Sequence, residues 1–252
     1  MSEVSLPFLT EQTERTLLDM DFSKMTSPPF TNAYSTGKGS TCISKRTGFP
    51  ALKIDSAGVN NGIQEIIFFF GFPKNWDKYP IGFDIEWAGQ DWIDRDLSSN
   101  QTIQKLYFIL VLEGHSSIFP FTGRYLGKIF HRVIGPEWRL IESDGSTEFV
   151  IVKDPLLYNG PEVGQDSYDE WQDFGLSLTW HKTKVEFDLA NKKYKRLEHN
   201  FRSFDVSTHS LYPDTTNYER AGIHFGFMLY DMGAGAARRS LWVRKYRIYQ
   251  VI

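Results

Sequence analysis

Apolar residues recur at every second position in short runs along the chain. Clusters of Gly, Pro, Asn and Asp break the runs at intervals of roughly ten residues, the rhythm of strands in a sandwich or barrel. No segment carries a helical period. Thr16 to Phe22 reads as a first strand, and Ser27-Pro28-Pro29 ends whatever follows it. Ala51 to Ile54 comes next, then a turn at Asn60-Asn61-Gly62. The nearly unbroken apolar run Ile63 to Phe72 predicts a central strand buried on both faces. In Ile81 to Trp87 the alternation is clean, with Phe83, Ile85 and Trp87 on one face and Asp84 and Glu86 on the other. Lys105 to Leu112, Tyr125 to Val133, Arg139 to Glu142 and Phe149 to Lys153 are further strands, the last two joined through the tight-turn pair Asp144-Gly145. In Ile223 to Tyr230, Ile223, Phe225, Phe227 and Leu229 face inward, which leaves His224, Gly226, Met228 and Tyr230 outward.

These elements predict an all-β chain folded as a two-sheet antiparallel β-sandwich, one domain over residues 1–252. The longest polar stretch, Asp154 to Asp173, is flanked by strand-rich sequence on both sides, so it reads as a functional loop rather than a linker. Hydrophobic residues at 41% and charged residues at 23% are ordinary for a globular chain. Aromatics at 15%, with 20 Phe, 12 Tyr and 7 Trp, are abundant enough to fill a sandwich core and still line a binding face.

A formal charge of -3 argues against nucleic acid as a partner, because a binder of phosphates carries a basic stripe. The compact basic runs Lys192 to Arg196 and Arg238 to Arg247 read as solvated or edge-protecting strand faces. Cys42 is the only cysteine, which excludes an internal disulfide and a thiolate zinc site. No apolar stretch is long enough to span a bilayer, so no membrane partner is expected. The N-terminal residues show no signal-peptide pattern. The expectation is a soluble cytoplasmic protein, or a secreted one if a leader has been removed.

The segment Trp171 to Val206 carries a more specific pattern. Trp180-His181 is followed by Val185, Phe187 and Leu189 on one face, a turn at Ala190-Asn191-Lys192, a return through Tyr194 to Leu197, a second turn at Asn200, and Phe204-Asp205-Val206. This run resembles the back half of bacterial concanavalin A-like or laminin-G-like jelly rolls, the superfamily of lectins and glucanases. Leu17 to Phe22 and Ser240 to Ile248 are similar to its first and last strands. The length is similar to that of a functionally uncharacterised bacterial family of this kind. Many relatives carry two acidic residues in the last strand where this chain has Arg244 and Lys245, so no metal site carries over there.

The resemblance implies carbohydrate as the partner, recognised on an outward sheet face, and a lectin-like function. Tyr107, His224 and Tyr230 are candidates on strands, and Trp92 and Trp171 on loops beside acids, since a flat ring next to a carboxylate matches a sugar's apolar face and hydroxyls. Trp76 is a third loop ring of this kind, with plugging a sandwich end as the alternative reading for all three.

Asp84 and Glu86, adjacent on one strand face, are candidate catalytic carboxylates of a glycoside hydrolase. The jelly-roll glucanases use an E-x-D-x-x-E pattern, of which this strand supplies two acids and then Gly89. A non-catalytic interaction or structural protein, pairing edge strands as a homo-oligomer, is the third reading. No cofactor or dedicated metal site is predicted, although Asp91, Asp94 and Asp96, or the loop Asp166 to Asp173, could offer oxygen ligands to a structural calcium. Nucleophile-elbow, metalloprotease and phosphate-loop motifs are missing, and Gly233 to Ala237 lies between strands rather than opening a helix.

Overall fold

A computed structural model describes residues 13–27, 32–35, 41–44, 50–55, 62–90, 102–114, 123–132, 137–153, 180–200, 202–214, 222–232 and 240–252. In chain order the elements are β1 (Glu14–Asp21), a 3-10 turn (Phe22–Lys24), β2 (Asn32–Ser35), β3 (Thr41–Ser44), β4 (Ala51–Asp55), β5 (Ile63–Phe70), β6 (Ile81–Gln90), β7 (Thr102–Gly114) and β8 (Gly123–Arg132). There follow β9 (Glu137–Ile141), β10 (Glu148–Lys153), β11 (His181–Asp188), β12 (Lys193–His199), β13 (Arg202–Asp205), β14 (Tyr212–Asp214), β15 (Gly222–Met232) and β16 (Ser240–Val251).

They form two sheets. Sheet A has the order β13-β12-β11-β6-β16-β4-β3, with β1 also on β16. Sheet B has the order β10-β9-β8-β7-β15-β5-β2, with β14 also on β8. Every ladder between named strands is antiparallel. Successive strands β4, β5, β6 and β7 alternate between the sheets, as do β10 to β11 and β15 to β16. That crossing makes the sandwich a jelly roll, the fold that the strand rhythm and the back-half resemblance predicted.

The core is aromatic and lies between the sheets. Phe83 of sheet A meets Phe225 and Phe108 of sheet B at 5.3 and 6.0 Å, and Phe68 of sheet B stacks on Tyr246 of sheet A at 4.9 Å. Full burial of each such ring contributes ~1.5–3 kcal/mol. The alternation read from β6 and β15 holds, with Ile81, Phe83, Ile85 and Trp87 inward from one sheet and Ile223, Phe225, Phe227 and Leu229 from the other.

The run from Ile63 differs from its prediction. It ends as a strand at Phe70, and only Gln64, Ile66 and Phe68 are buried, while Ile63, Glu65, Ile67 and Phe69 are half-buried on the other face. Apart from Glu65 the outward residues are apolar, and that face of sheet B carries an apolar cluster of its own.

One polar cluster interrupts the core. Trp87 donates its indole N–H to Thr183 Oγ1 at 2.9 Å, and Thr183 Oγ1 lies 3.0 Å from His199 Nδ1. Asn200 Oδ1 accepts the Lys182 backbone N–H at 3.0 Å, which turns its amide nitrogen toward His199 Nε2 at 3.3 Å and His181 Nδ1 at 3.4 Å. The amide offers two hydrogens, so both ring nitrogens facing it are acceptors, and His199 carries its proton on Nδ1 toward Thr183. His199 is 2% exposed. Burial, then electrostatic interactions with His181 and Arg202, hold its pKa down to about 3.

Candidate functional site

The outer face of sheet B is where the outward residues of β15 come together with those of β5, β7 and β8. Register places Glu65, Met228, Tyr107 and Phe130 in one row across four strands, and Ile67, Gly226, Ile109 and Lys128 in the next. Tyr107, Ile109, Leu126, Phe130, Tyr212 and Met228 belong to an apolar cluster separate from the core, and Tyr230 packs against it. The rings of Tyr107 and Phe130 are 4.7 Å apart, and His224 meets Phe69 edge-on at 5.0 Å. Of the strand residues read from sequence as sugar contacts, Tyr107, His224 and Tyr230 therefore share this face. Tyr107 lies at its floor at 9% exposed, and His224 and Tyr230 are half-buried.

Gly226 sits in the middle of the face because there is no room for a side chain. A Cβ there would collide with the Ile66 carbonyl oxygen of the neighbouring strand.

Sequence reasoning missed two charged groups in the middle of this surface. Glu65 is half-buried and desolvation raises its pKa, against the pull of Lys128 and then Arg124. Lys128 is desolvated too, which lowers its pKa, and Glu65 and Asp214 act in the opposite direction. They are near enough to interact electrostatically, but neither forms an ion pair among the described residues. The Lys128 ammonium lies 5.9 Å from the Tyr212 ring centroid. Burial, followed by the charge of Asp214, pushes the Tyr212 hydroxyl up to about 12. The neighbouring charges are spent on each other: Arg124 pairs with Asp214 at 2.9 Å, and Arg139 with Glu137 and, at 3.1 Å, with Glu148. The available signal was a lone Glu on the outward positions of an otherwise apolar β5, and on β8 a Lys between the outward apolar residues Leu126 and Phe130.

Asp84 and Glu86 lie elsewhere. They are on the outer face of sheet A, with the core between them and His224 or Tyr230, so the four residues do not line one groove. Both are committed to strand-to-strand ion pairs. Arg247 reaches Asp84 at 3.1 Å and Lys182 reaches it at 3.5 Å, while Arg244 pairs with Glu86 and stacks on Trp180 at 4.7 Å. Arg247 also binds Glu14 at 2.7 Å. The basic residues of the last strand thus answer acids on β6 and β1.

Trp76 packs against Phe72 at 4.8 Å and against the core, the end-plug alternative considered for it. Trp92, Trp171, the acids Asp91, Asp94 and Asp96, and the loop Asp166 to Asp173 lie outside the described residues. Among the described residues no group of three or more His, Cys, Asp or Glu could hold a metal ion, and no helix is long and apolar enough to cross a membrane.

Solved structures of similar shape exist. A carbohydrate esterase from the Shiga toxin-encoding bacteriophage phi24B matches with a TM-score of 0.54 at 12% identity, over 95% of this chain and 99% of that one. Lectin II from Ulex europaeus matches with a TM-score of 0.47 at 9% identity, over 94% and 100% of the two chains. Lectin I from Ulex europaeus, in complex with the methyl glycoside of alpha-L-fucose, gives 0.46 at 9% over 93% and 98%. At these identities the likeness is one of fold. No family model and no curated protein matches the sequence.

Proposed function

We propose that this protein binds carbohydrate on the outer face of sheet B, without an assigned catalytic role. The observation that carries the reading is the placement of Glu65 and Lys128 on an aromatic face, half-buried and without an ion pair among the described residues. Their capacity to accept and donate hydrogen bonds is therefore open to a ligand. Tyr230 and His224 supply the half-buried rings beside them, and a sugar's C–H face packs on such rings while its hydroxyls meet the charged groups. Asp84 and Glu86 take no part, being occupied by arginines on the other sheet.

A glycan array followed by titration calorimetry tests this. At least one saccharide should bind, Glu65→Ala and Tyr230→Ala should each weaken it ~10-fold or more, and Asp84→Asn with Glu86→Gln should leave the affinity unchanged. An array with no saccharide bound, with and without calcium, would overturn the proposal. So would binding that the Glu65 and Tyr230 variants do not alter while the Asp84 and Glu86 variant abolishes it.

A further inference from the structure

Building on that reading, we infer that the glycan bound by sheet B is acidic, its carboxylate pairing with Lys128 while a neighbouring hydroxyl donates to Glu65. On this face Arg124 is neutralised by Asp214 and Arg139 by Glu137 and Glu148, each through a direct ion pair. Among the described residues Lys128 has no such partner. Its ammonium is held on β8 above the apolar cluster, with the Tyr212 ring at 5.9 Å and Glu65 at longer range.

An ammonium withdrawn from water loses hydration that sugar hydroxyls replace only in part, whereas a carboxylate replaces it with a charge-assisted hydrogen bond. A single negative charge also suits the site better than a phosphate monoester, since Glu65 lies near enough to repel a second one.

Glu65 makes the binding depend on pH. The groups that face it and Lys128 are Arg124 on β8, Asp214 and Tyr212 on β14, Tyr107 and Glu113 on β7 and His224 and Tyr230 on β15; Arg124, the other cation acting on Glu65, already holds Asp214. Bringing a carboxylate in beside Glu65 raises the cost of its negative charge, and its burial already acts in that direction. Binding therefore draws a proton onto Glu65. The sign follows: a complex that holds one more proton than its parts tightens as pH falls, by up to ~10-fold per pH unit. The sugar's own carboxylate stays ionised down to about pH 4.

The experiment uses uronate-bearing oligosaccharides and the same oligosaccharides with their carboxyl groups chemically reduced, titrated calorimetrically into the full chain. The acidic form should bind ~30-fold more tightly than its reduced partner, the scale of a desolvated charge pair. Lys128→Met should bring that ratio toward one, and Lys128→Arg, which keeps the charge, should preserve the preference and show that the Met variant's loss is not misfolding. Lowering the pH from 7 to 5 should tighten binding of the acidic form to the wild type but not to Glu65→Gln. Equal affinity for the acidic and reduced forms, or a stronger preference for sulfated over carboxylated glycans, overturns the inference and leaves the carbohydrate reading standing. No saccharide binding of either kind removes both.

Discussion

The buried histidine at the end of the core predicts an acid-sensitive fold, with a size that can be worked from its surroundings. His199 is enclosed by Trp87 and Trp138, whose ring centroids lie 6.3 and 5.0 Å away, and its Nε2 accepts from the Asn200 amide. In the folded chain it stays neutral down to about pH 3, against an ordinary value of 6.5. The unfolded chain binds a proton below the ordinary value and the folded chain does not, so stability is complete above it and falls as the pH drops toward the folded value. Each pH unit inside that window removes ~1.4 kcal/mol. Between pH 6.5 and 4.5 the loss from this one residue is therefore ~2.5 kcal/mol, a large fraction of the stability of an ordinary domain.

Urea denaturation followed by tryptophan fluorescence, repeated across this pH range, measures it. The comparison is His199→Gln, which retains an amide able to meet Thr183 and Asn200 but cannot titrate. The variant should start less stable at neutral pH, and its stability should fall more gently with pH than the wild type's, by ~1.4 kcal/mol per unit. The carboxylates held below their usual range, such as Glu14 and Asp144, act at lower pH and appear in both proteins, so the difference between the two profiles isolates the histidine. Parallel profiles, or a His199 imidazole that titrates near pH 6.5 by NMR in the folded protein, would refute the reasoning.

Three further outcomes follow from the packing. Glu186 is 1% exposed, pairs with Arg196 at 2.6 Å and accepts from the Tyr249 hydroxyl at 3.1 Å. Arg196→Met leaves a buried carboxylate without its cation and should cost ~3 kcal/mol by chemical denaturation, and a loss below ~1 kcal/mol would show the pair to be incidental. Gly226→Ala should destabilise by ~2 kcal/mol or more, since its methyl meets the backbone of β5 rather than a movable side chain. The double change Asp84→Asn and Glu86→Gln should lower the melting temperature by only a few degrees, about 1 kcal/mol, because both pairs are partly exposed to solvent.

How far the residues foretold this structure depends on the range of the interaction. Period-two alternation is local, and it assigned the faces of β6, β11 and β15 correctly, as well as the turns at Gly145, Lys192 and Asn200, where φ is positive. Partnerships between sheets are not local. Asp84 meets Arg247 across 163 positions of sequence, and nothing in the strand around Asp84 announces that its carboxylate is already taken. That Asp84 and Glu86 lie on one sheet and His224 and Tyr230 on the other is hidden from the sequence for this reason. Outward positions of two strands look alike whether or not the strands belong to one sheet. Glu65 was hidden differently, inside a run so apolar that both its faces read as core.

The two outer faces show why that distinction bears on function. On sheet A, acids of β6, β11 and β1 stand opposite basic residues of β16, β11 and β12, so the charge is consumed by the sheet's own cross-strand pairs. Such a face is stable and solvated, with little left to offer a ligand. On sheet B the outward positions of β5, β7, β8 and β15 are mostly apolar or aromatic; of the charges among them, Arg124 is paired with Asp214 and Glu113 is buried beside it in register, while Glu65 and Lys128 stop short of each other. Burying two ionisable groups there without closing them into a pair weakens the fold relative to apolar replacements, so replacing both Glu65 and Lys128 with Leu should stabilise the chain while abolishing glycan binding. A double variant that was less stable than the wild type would mean that the pair serves the fold instead, and the site would have to be sought on another part of the molecule.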